Sequence, residues 1–272
     1  MSGGKHQWLV VTDLDGTMLD HHSYEISAAK DAVQLLQQRH IPVVLNTSKT
    51  FAETLEIRVI LGITDPFIVE NGSAIYLEKC DFDRPPGALE YGDYWLILLG
   101  ERQQQISQVL ARVLSDTGLD DSCYTRLSQL TIGQAIALTG LTEEQAENAI
   151  AREYSEPLIW QADEKTLATF QQQLKKYGLT TLQGGRFLHV IGDCDKGRSM
   201  LRLLDCYKPV MKTVALGDSA NDAAMLSAAD ISVIVNSPSN HQLRELHSPD
   251  IQTVATAPQG WREAIDQLLP QL

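Results

Sequence analysis

The run Trp8-Leu9-Val10-Val11-Thr12-Asp13-Leu14-Asp15-Gly16-Thr17 decides the fold class of this 272-residue chain. An apolar run of strand length ends on two acids one residue apart, and the glycine after them suits a tight turn. The same rhythm continues outward: helical spacing over 26–39, a compact apolar run over 41–45, a helix over 50–61 and another strand over 67–69. Strand, helix, strand, helix predicts parallel pairing, and strands apolar at nearly every position predict helices on both faces of the sheet. Open sheets of this kind place their ligand crevice outside the carboxyl ends of the strands, where Asp13 and Asp15 stand.

The rhythm breaks at 81–92, which is rich in proline, glycine and acids and reads as a connection. Beyond it lie helices predicted over 101–116, 142–154 and 163–177, with strand-like pieces over 158–161 and 179–183. The alternating pattern then returns with a helix over 197–206, a strand over 213–217, a helix over 219–228, a strand over 231–235 and a final helix over 259–269. The expected fold is α/β, a Rossmann-like doubly wound parallel sheet interrupted by an inserted α+β domain. Residues 1–80 and 186–272 form the core in this reading, and residues 81–185 form the insertion.

A net charge of -13 and a pI near 4.9 leave no basic face for nucleic acid or an anionic membrane. Cys80, Cys123, Cys194 and Cys206 are scattered, which argues against a zinc site or a disulfide framework. No window reaches the roughly 20 apolar residues of a membrane helix, and residues 1–7 are short and polar. A cytoplasmic monomer or homodimer is expected.

A second acidic group, Gly217-Asp218-Ser219-Ala220-Asn221-Asp222, also ends an apolar strand and opens a helix. Adjacent parallel strands would bring Asp13, Asp15 and Asp218 together across the sequence. Turns and helix N-caps use the same residue types, but they account for single acids better than for two acidic strand ends. Hard oxygen ligands in a small cluster suit Mg²⁺, which takes a few carboxylates, waters and phosphate oxygens. Thr47, Ser48 and Lys49 follow the second strand and offer hydroxyls, N–H groups and a cation to an anion, or alternatively a cap for the next helix. Lys196, in Asp195-Lys196-Gly197, precedes a helix where the core resumes; alone it would read as a solvated surface charge.

Taken in order, Asp13-Leu14-Asp15-Gly16-Thr17, Thr47, Lys196 and Gly217-Asp218 with Asp222 resemble the haloacid dehalogenase superfamily. The insertion resembles the cap of its sugar-phosphatase (Cof-type) branch. Three further runs are similar to the mannosyl-3-phosphoglycerate phosphatase family. They are Asn46-Thr47-Ser48-Lys49-Thr50, Glu70-Asn71-Gly72, and Gln183-Gly184-Gly185-Arg186-Phe187 leading to His189.

The resemblance implies a phosphatase in which Asp13 attacks phosphorus and Asp15 serves as acid and base, while Thr47 and Lys196 bind the transferring oxygens. It implies Mg²⁺ held by the Asp13 carboxylate, the Asp15 backbone carbonyl and Asp218, with Asp222 in support. The substrate implied is a small phosphorylated sugar-glycerate, met by Ser48, Lys49, Asn71, Gly72, Arg186 and His189. Arg186 equally suits a hinge salt bridge, and Gly184 and Gly185 would allow the cap to close. A glucosyl-3-phosphoglycerate, sucrose-phosphate or broad sugar phosphatase fits the same residues. So does a silent binding module of the same fold, against which the intact Asp13, Asp15, Lys196 and Asp218 count.

Overall fold

A computed structural model describes residues 7–20, 25–184 and 187–272. The first half of the core runs β1 (Gln7–Thr12), α1 (Ser27–Gln38), β2 (Val43–Asn46), α2 (Phe51–Leu61), β3 (Phe67–Val69), β4 (Ala74–Glu78), β5 (Leu89–Tyr91) and β6 (Tyr94–Leu98). Then come α3 (Gln103–Thr117), β7 (Tyr124–Arg126), α4 (Ile132–Thr139), α5 (Glu143–Ile150), β8 (Ser155–Trp160), α6 (Glu164–Lys176), β9 (Leu179–Gly184) and β10 (Phe187–Gly192). The chain closes with α7 (Lys196–Leu204), β11 (Met211–Gly217), α8 (Ala223–Ala228), β12 (Ile231–Asn236), α9 (His241–Leu246), β13 (Ile251–Thr256) and α10 (Gln259–Leu268).

The larger sheet has the order β13-β12-β11-β1-β2-β3-β4-β6-β5, parallel from β13 to β3 and antiparallel beyond. Its central strands β11, β1, β2 and β3 are largely apolar because both faces are covered there. Val10, Val43, Leu45 and Val214 meet α1 and α10 through Val33, Leu36, Trp261 and Ile265. The alternate residues Leu9, Val11, Val44 and Ala215 meet α7 and α8 through Met200, Leu203, Met225 and Leu226.

The smaller sheet, β7-β8-β10-β9, is antiparallel. Leu158, Leu188 and Val190 pack beneath α3 and α6, against Ile106, Leu110, Phe170 and Leu174. Since side chains alternate across a strand, Phe187 and His189 turn to the opposite face. Pro157, His189 and Leu182 form one rung of that face.

The chain changes sheet at other points than the expected residues 81 and 186. Residues 81–88 are the turn-rich connection, but β5 and β6 return to the larger sheet, where Tyr94–Leu98 pairs with Glu78–Ala74. Phe187–Gly192 belongs to the smaller sheet, because Leu188 and Val190 complete the apolar layer under α3 and α6. The helix expected over 142–154 is α5, and it stops at Ile150; Glu70 draws the next residues away, accepting from the Glu153 and Tyr154 N–H groups at 2.9 and 3.1 Å. No helix among the described residues is long and apolar enough to cross a membrane.

Candidate active site

β1 lies between β11 and β2, with Thr12 level with Leu216 on one side and Leu45 on the other. Asp13, Asp218 and Thr47 therefore leave neighbouring strands at the same edge of the sheet, as the carboxyl-end rule requires. The backbone at Asp13 is held by its N–H to the Leu216 carbonyl at 3.0 Å, and its carbonyl accepts from Thr12 Oγ1 at 2.8 Å. Trp261 Nε1 in turn donates to that hydroxyl at 2.9 Å.

The turn after β1 folds Gly16, Thr17, Met18 and Leu19 back on Leu14 and on one another by backbone hydrogen bonds. Gly16 has φ +81, and a Cβ there would stand 2.5 Å from the Asp218 carboxylate. Only glycine meets both conditions. Thr17 Oγ1 donates to Asp218 Oδ1 at 3.1 Å, tying the two acidic motifs together.

Lys196 opens α7 fully buried, with Nζ 2.5 Å from Asp13 Oδ1 and 2.6 Å from Asp222 Oδ1. Asn46 Nδ2 donates to the Lys196 carbonyl at 2.9 Å, fixing the start of that helix against β2. Asp222 is committed on both oxygens, since Oδ2 accepts the Asp218 and Ser219 N–H groups at 3.0 and 3.1 Å. It positions Lys196 and Asp218.

Carboxylate oxygens of Asp13, Asp218 and Asp222 lie within 4.8 Å of one another. Burial pushes the Asp13 carboxyl up to about 7, with Lys196 opposing and Asp222 adding to the rise. Asp218 is raised well above the ordinary carboxylate range by burial, and then by the Asp13 and Asp222 charges. For Lys196, burial alone would lower the ammonium, but Asp13 and Asp222 outweigh it and the net shift is upward. One ammonium against three carboxylates leaves an excess negative charge that suits a divalent cation with oxygen ligands. The donor set fits magnesium.

The Asp15 carboxylate stands outside that cluster and pairs with Lys49 at 3.0 Å; Lys49 also lies 3.7 Å from Glu53. Thr47 is buried, its hydroxyl accepting the Lys49 N–H at 3.1 Å and its carbonyl accepting the Asn71 N–H at 2.9 Å. Thr50 and Glu53 cap α2 reciprocally, and Thr50 Oγ1 also reaches the Asn148 carbonyl of α5 at 2.9 Å.

These groups open into a cleft of about 500 Å³ between the strand ends and the free face of the smaller sheet. From the core it is lined by Asp13, Asp15, Ser48, Glu53, Asn71 and Asp218; from the other side by Arg152, Pro157, Leu182, Gly184, Phe187 and His189. Thus Asp13, Asp15, Ser48, Asn71, His189 and Asp218 line the cleft, and Lys196 and Asp222 are buried against Asp13 and Asp218. Thr47 is beneath the cleft, and Gly72 is placed away from it, against the Asp195 carbonyl at the start of α7. Arg186 and Gly185 lie outside the described residues. A cavity of about 580 Å³ opens at the opposite end of the sheet, before β3 and β11, where none of these acids converge.

Three residues given no role by the sequence belong to the site: Asn221 and Glu70, inside the motif runs, and Arg152, outside them. Asn221 Nδ2 donates to Asn71 Oδ1 at 3.0 Å. Arg152 Nη1 donates to the Ser48 carbonyl at 3.0 Å. Glu70, buried at φ +49, accepts from the hydroxyl of Ser155 at 2.5 Å as well as from the two N–H groups before it. The run Arg152-Glu153-Tyr154-Ser155 follows a helical pattern without a break that would set Arg152 apart.

The family of haloacid dehalogenase-like hydrolases matches this chain over residues 10–83 and 140–244. A glucosyl-3-phosphoglycerate/mannosyl-3-phosphoglycerate phosphatase of Methanococcoides burtonii is 35% identical over 267 residues, 96% of this chain and 97% of that protein. One of the same name from Persephonella marina is 32% identical over 278 residues, 97% of this chain and 98% of that protein. Among solved structures, a haloacid dehalogenase-like hydrolase from Bacteroides thetaiotaomicron superposes with a TM-score of 0.67 at 18% identity. It covers 97% of this chain and all of the other.

Proposed function

The chain belongs to the haloacid dehalogenase-like hydrolase family, and from that premise we propose that it is a magnesium-dependent phosphatase acting on mannosyl- or glucosyl-3-phosphoglycerate through an aspartyl-phosphate on Asp13. The observation that carries the substrate is the extent of the likeness. Two proteins named for that pair of substrates match over 96% and 97% of this chain, so the likeness includes the inserted segment where the two sides of the cleft differ from a bare phosphate site.

Magnesium, held by Asp13 and Asp218 with the Asp15 carbonyl, supplies charge neutralisation to the acids and to the phosphate oxygens. The remaining chemistry belongs to the chain. Asp13 Oδ2, the oxygen not bonded to Lys196, attacks phosphorus as the sugar-glycerate hydroxyl leaves opposite to it. Asp15 lines the cleft and gives its proton to that leaving oxygen. Lys49, 3.0 Å away, holds the Asp15 side chain at the cleft. Asp15 then takes a proton from the water that cleaves the aspartyl-phosphate, returning Asp13 to its carboxylate. Lys196 fixes the Asp13 carboxylate and balances charge on the transferring oxygens, with Thr47 and Ser48 supporting the phosphate at the end of β2.

The test is phosphate release from mannosyl- and glucosyl-3-phosphoglycerate, sucrose 6-phosphate and hexose monophosphates, each with and without chelator. The expected result is preference for a glycosyl-3-phosphoglycerate, lost on chelation and restored by magnesium. A large preference for a hexose monophosphate would reject this substrate, and full activity in chelator would reject the metal.

A further inference from the structure

The two sides of the cleft differ in charge. The core side presents the carboxylates of Asp13, Asp15, Glu53 and Asp218. Opposite them, among the described residues lining the cleft, Arg152 is the single lysine or arginine. His189 beside it is neutral, since burial and then the Arg152 charge hold its imidazole down at about 3.

The other cations near the site are committed to acids. Lys196 is buried between Asp13 and Asp222, and Lys49 pairs with Asp15 and Glu53. Arg152 is also paired with an acid, Glu70, at the longest of these distances. Its side chain is 10% exposed, and its Nε is buried without a hydrogen-bond partner. Nη1 reaches the Ser48 carbonyl and the Ser155 hydroxyl at 3.0 and 3.1 Å. The nearest acid, Glu70, is 3.9 Å away, and its oxygens already accept from Glu153, Tyr154 and Ser155. A guanidinium that lines a cleft and keeps an Nε without a partner suits a carboxylate or phosphate.

We infer that Arg152 is a specificity residue whose guanidinium receives the carboxylate of a phosphorylated hydroxy-acid substrate while the phosphate lies at Asp13. This rests on the phosphatase reading of the site given above. The carboxylates of the core side repel a second anion, so the substrate carboxylate is met from the other side. An ester lacking the carboxylate leaves the Arg152 Nε unpaired as it already is, whereas a carboxylate there gains a hydrogen bond to a charged group. Because Arg152 also holds the Ser48 carbonyl, the carboxylate is read at the junction of the two sides of the cleft, beside the loop that supports the phosphate.

D-3-phosphoglycerate and sn-glycerol 1-phosphate test this, because they share the arrangement at C2 and differ only in a carboxylate against a hydroxymethyl group. Their dissociation constants are measured by calorimetry on the full chain with magnesium, in an Asp13→Asn background that prevents turnover. The expected preference for the carboxylate ligand is roughly tenfold to a hundredfold, the worth of hydrogen bonds to a charged group, and Arg152→Met brings the ratio close to one. Arg152→Gln keeps an amide donor for the Ser48 carbonyl, removes the charge, and decides the matter if the methionine variant does not fold. A preference absent from the background protein, or unchanged in these variants, overturns the inference. If glycosyl-3-phosphoglycerates are not hydrolysed but the preference exists and depends on Arg152, the named substrate falls and the carboxylate subsite stands. If they are hydrolysed and the ratio ignores Arg152, the subsite falls and the substrate stands.

Discussion

Asp13 sits among more negative charge than one lysine balances, and that crowding separates its chemical role from its structural one. Asp13→Asn keeps the shape of the side chain and an oxygen for Lys196, while removing both the nucleophile and one of the mutually repelling carboxylates. Turnover is expected to fall by about a thousandfold or more, with a melting temperature equal to or above that of the parent. Phosphate release and a thermal melt check the two halves; a variant that turned over at the parent rate would remove Asp13 from the attack. Residues of this kind were legible in the sequence because each is carried by a short motif at a strand end. Asp13, Asp218 and Asp222 needed only the parallel order of β11, β1 and β2 to meet, whereas Lys196 needed the seating of α7 as well. Arg152 was not legible, because its place depends on Glu70, a distant residue in a left-handed turn whose carboxylate ends α5 and turns the chain toward β8. No local pattern records that contact.

At the scale of elements, the position of Lys196 depends on how α7 seats against α8. A Cβ on Gly197 would meet the Ala224 carbonyl oxygen at 2.4 Å, a contact with backbone that no rotamer change relieves. Gly197→Ala is therefore expected to push the two helices apart, at a cost of about 1–3 kcal/mol for overpacking. That corresponds to a fall in melting temperature of roughly 2–4 °C per kcal/mol for a chain of this class. Activity should drop further than the folded fraction explains, since the shift displaces Lys196 from Asp13 and Asp222. Melting and kcat measured together decide it, and an unaltered melting temperature would show that the contact yields freely. The same packing explains which elements the sequence disclosed. β1, β2, β11 and β12 are covered on both faces, so burial writes an unbroken apolar run into each. β5 is three residues long and largely exposed, which leaves no run to read. β10 is apolar but alternates between helices and cleft, and that pattern does not tell to which sheet a strand belongs.

At the scale of the molecule, the two sheets face each other across a cleft, and the smaller one contributes a histidine to it. His189 lies between Pro157 and Leu182 on neighbouring strands, buried, with Nδ1 lacking a partner and Arg152 as the charge that acts on it. Its imidazole is held at about 3 against an ordinary 6.5. Between those values the unfolded chain binds a proton that the folded chain refuses, so stability rises with pH across the window. The contribution is complete above about 6.5 and is lost as pH falls toward 3, at about 1.4 kcal/mol for each pH unit. From neutrality to pH 4.5 this amounts to about 3 kcal/mol. His189→Gln has a side chain that does not titrate, so its stability relative to the parent should improve steadily as the medium is acidified below 6.5. Denaturant unfolding at a series of pH values gives the difference directly. Parallel curves for parent and variant from pH 7 to 4.5 would mean that the cleft admits the proton, and that the smaller sheet does not keep His189 from water.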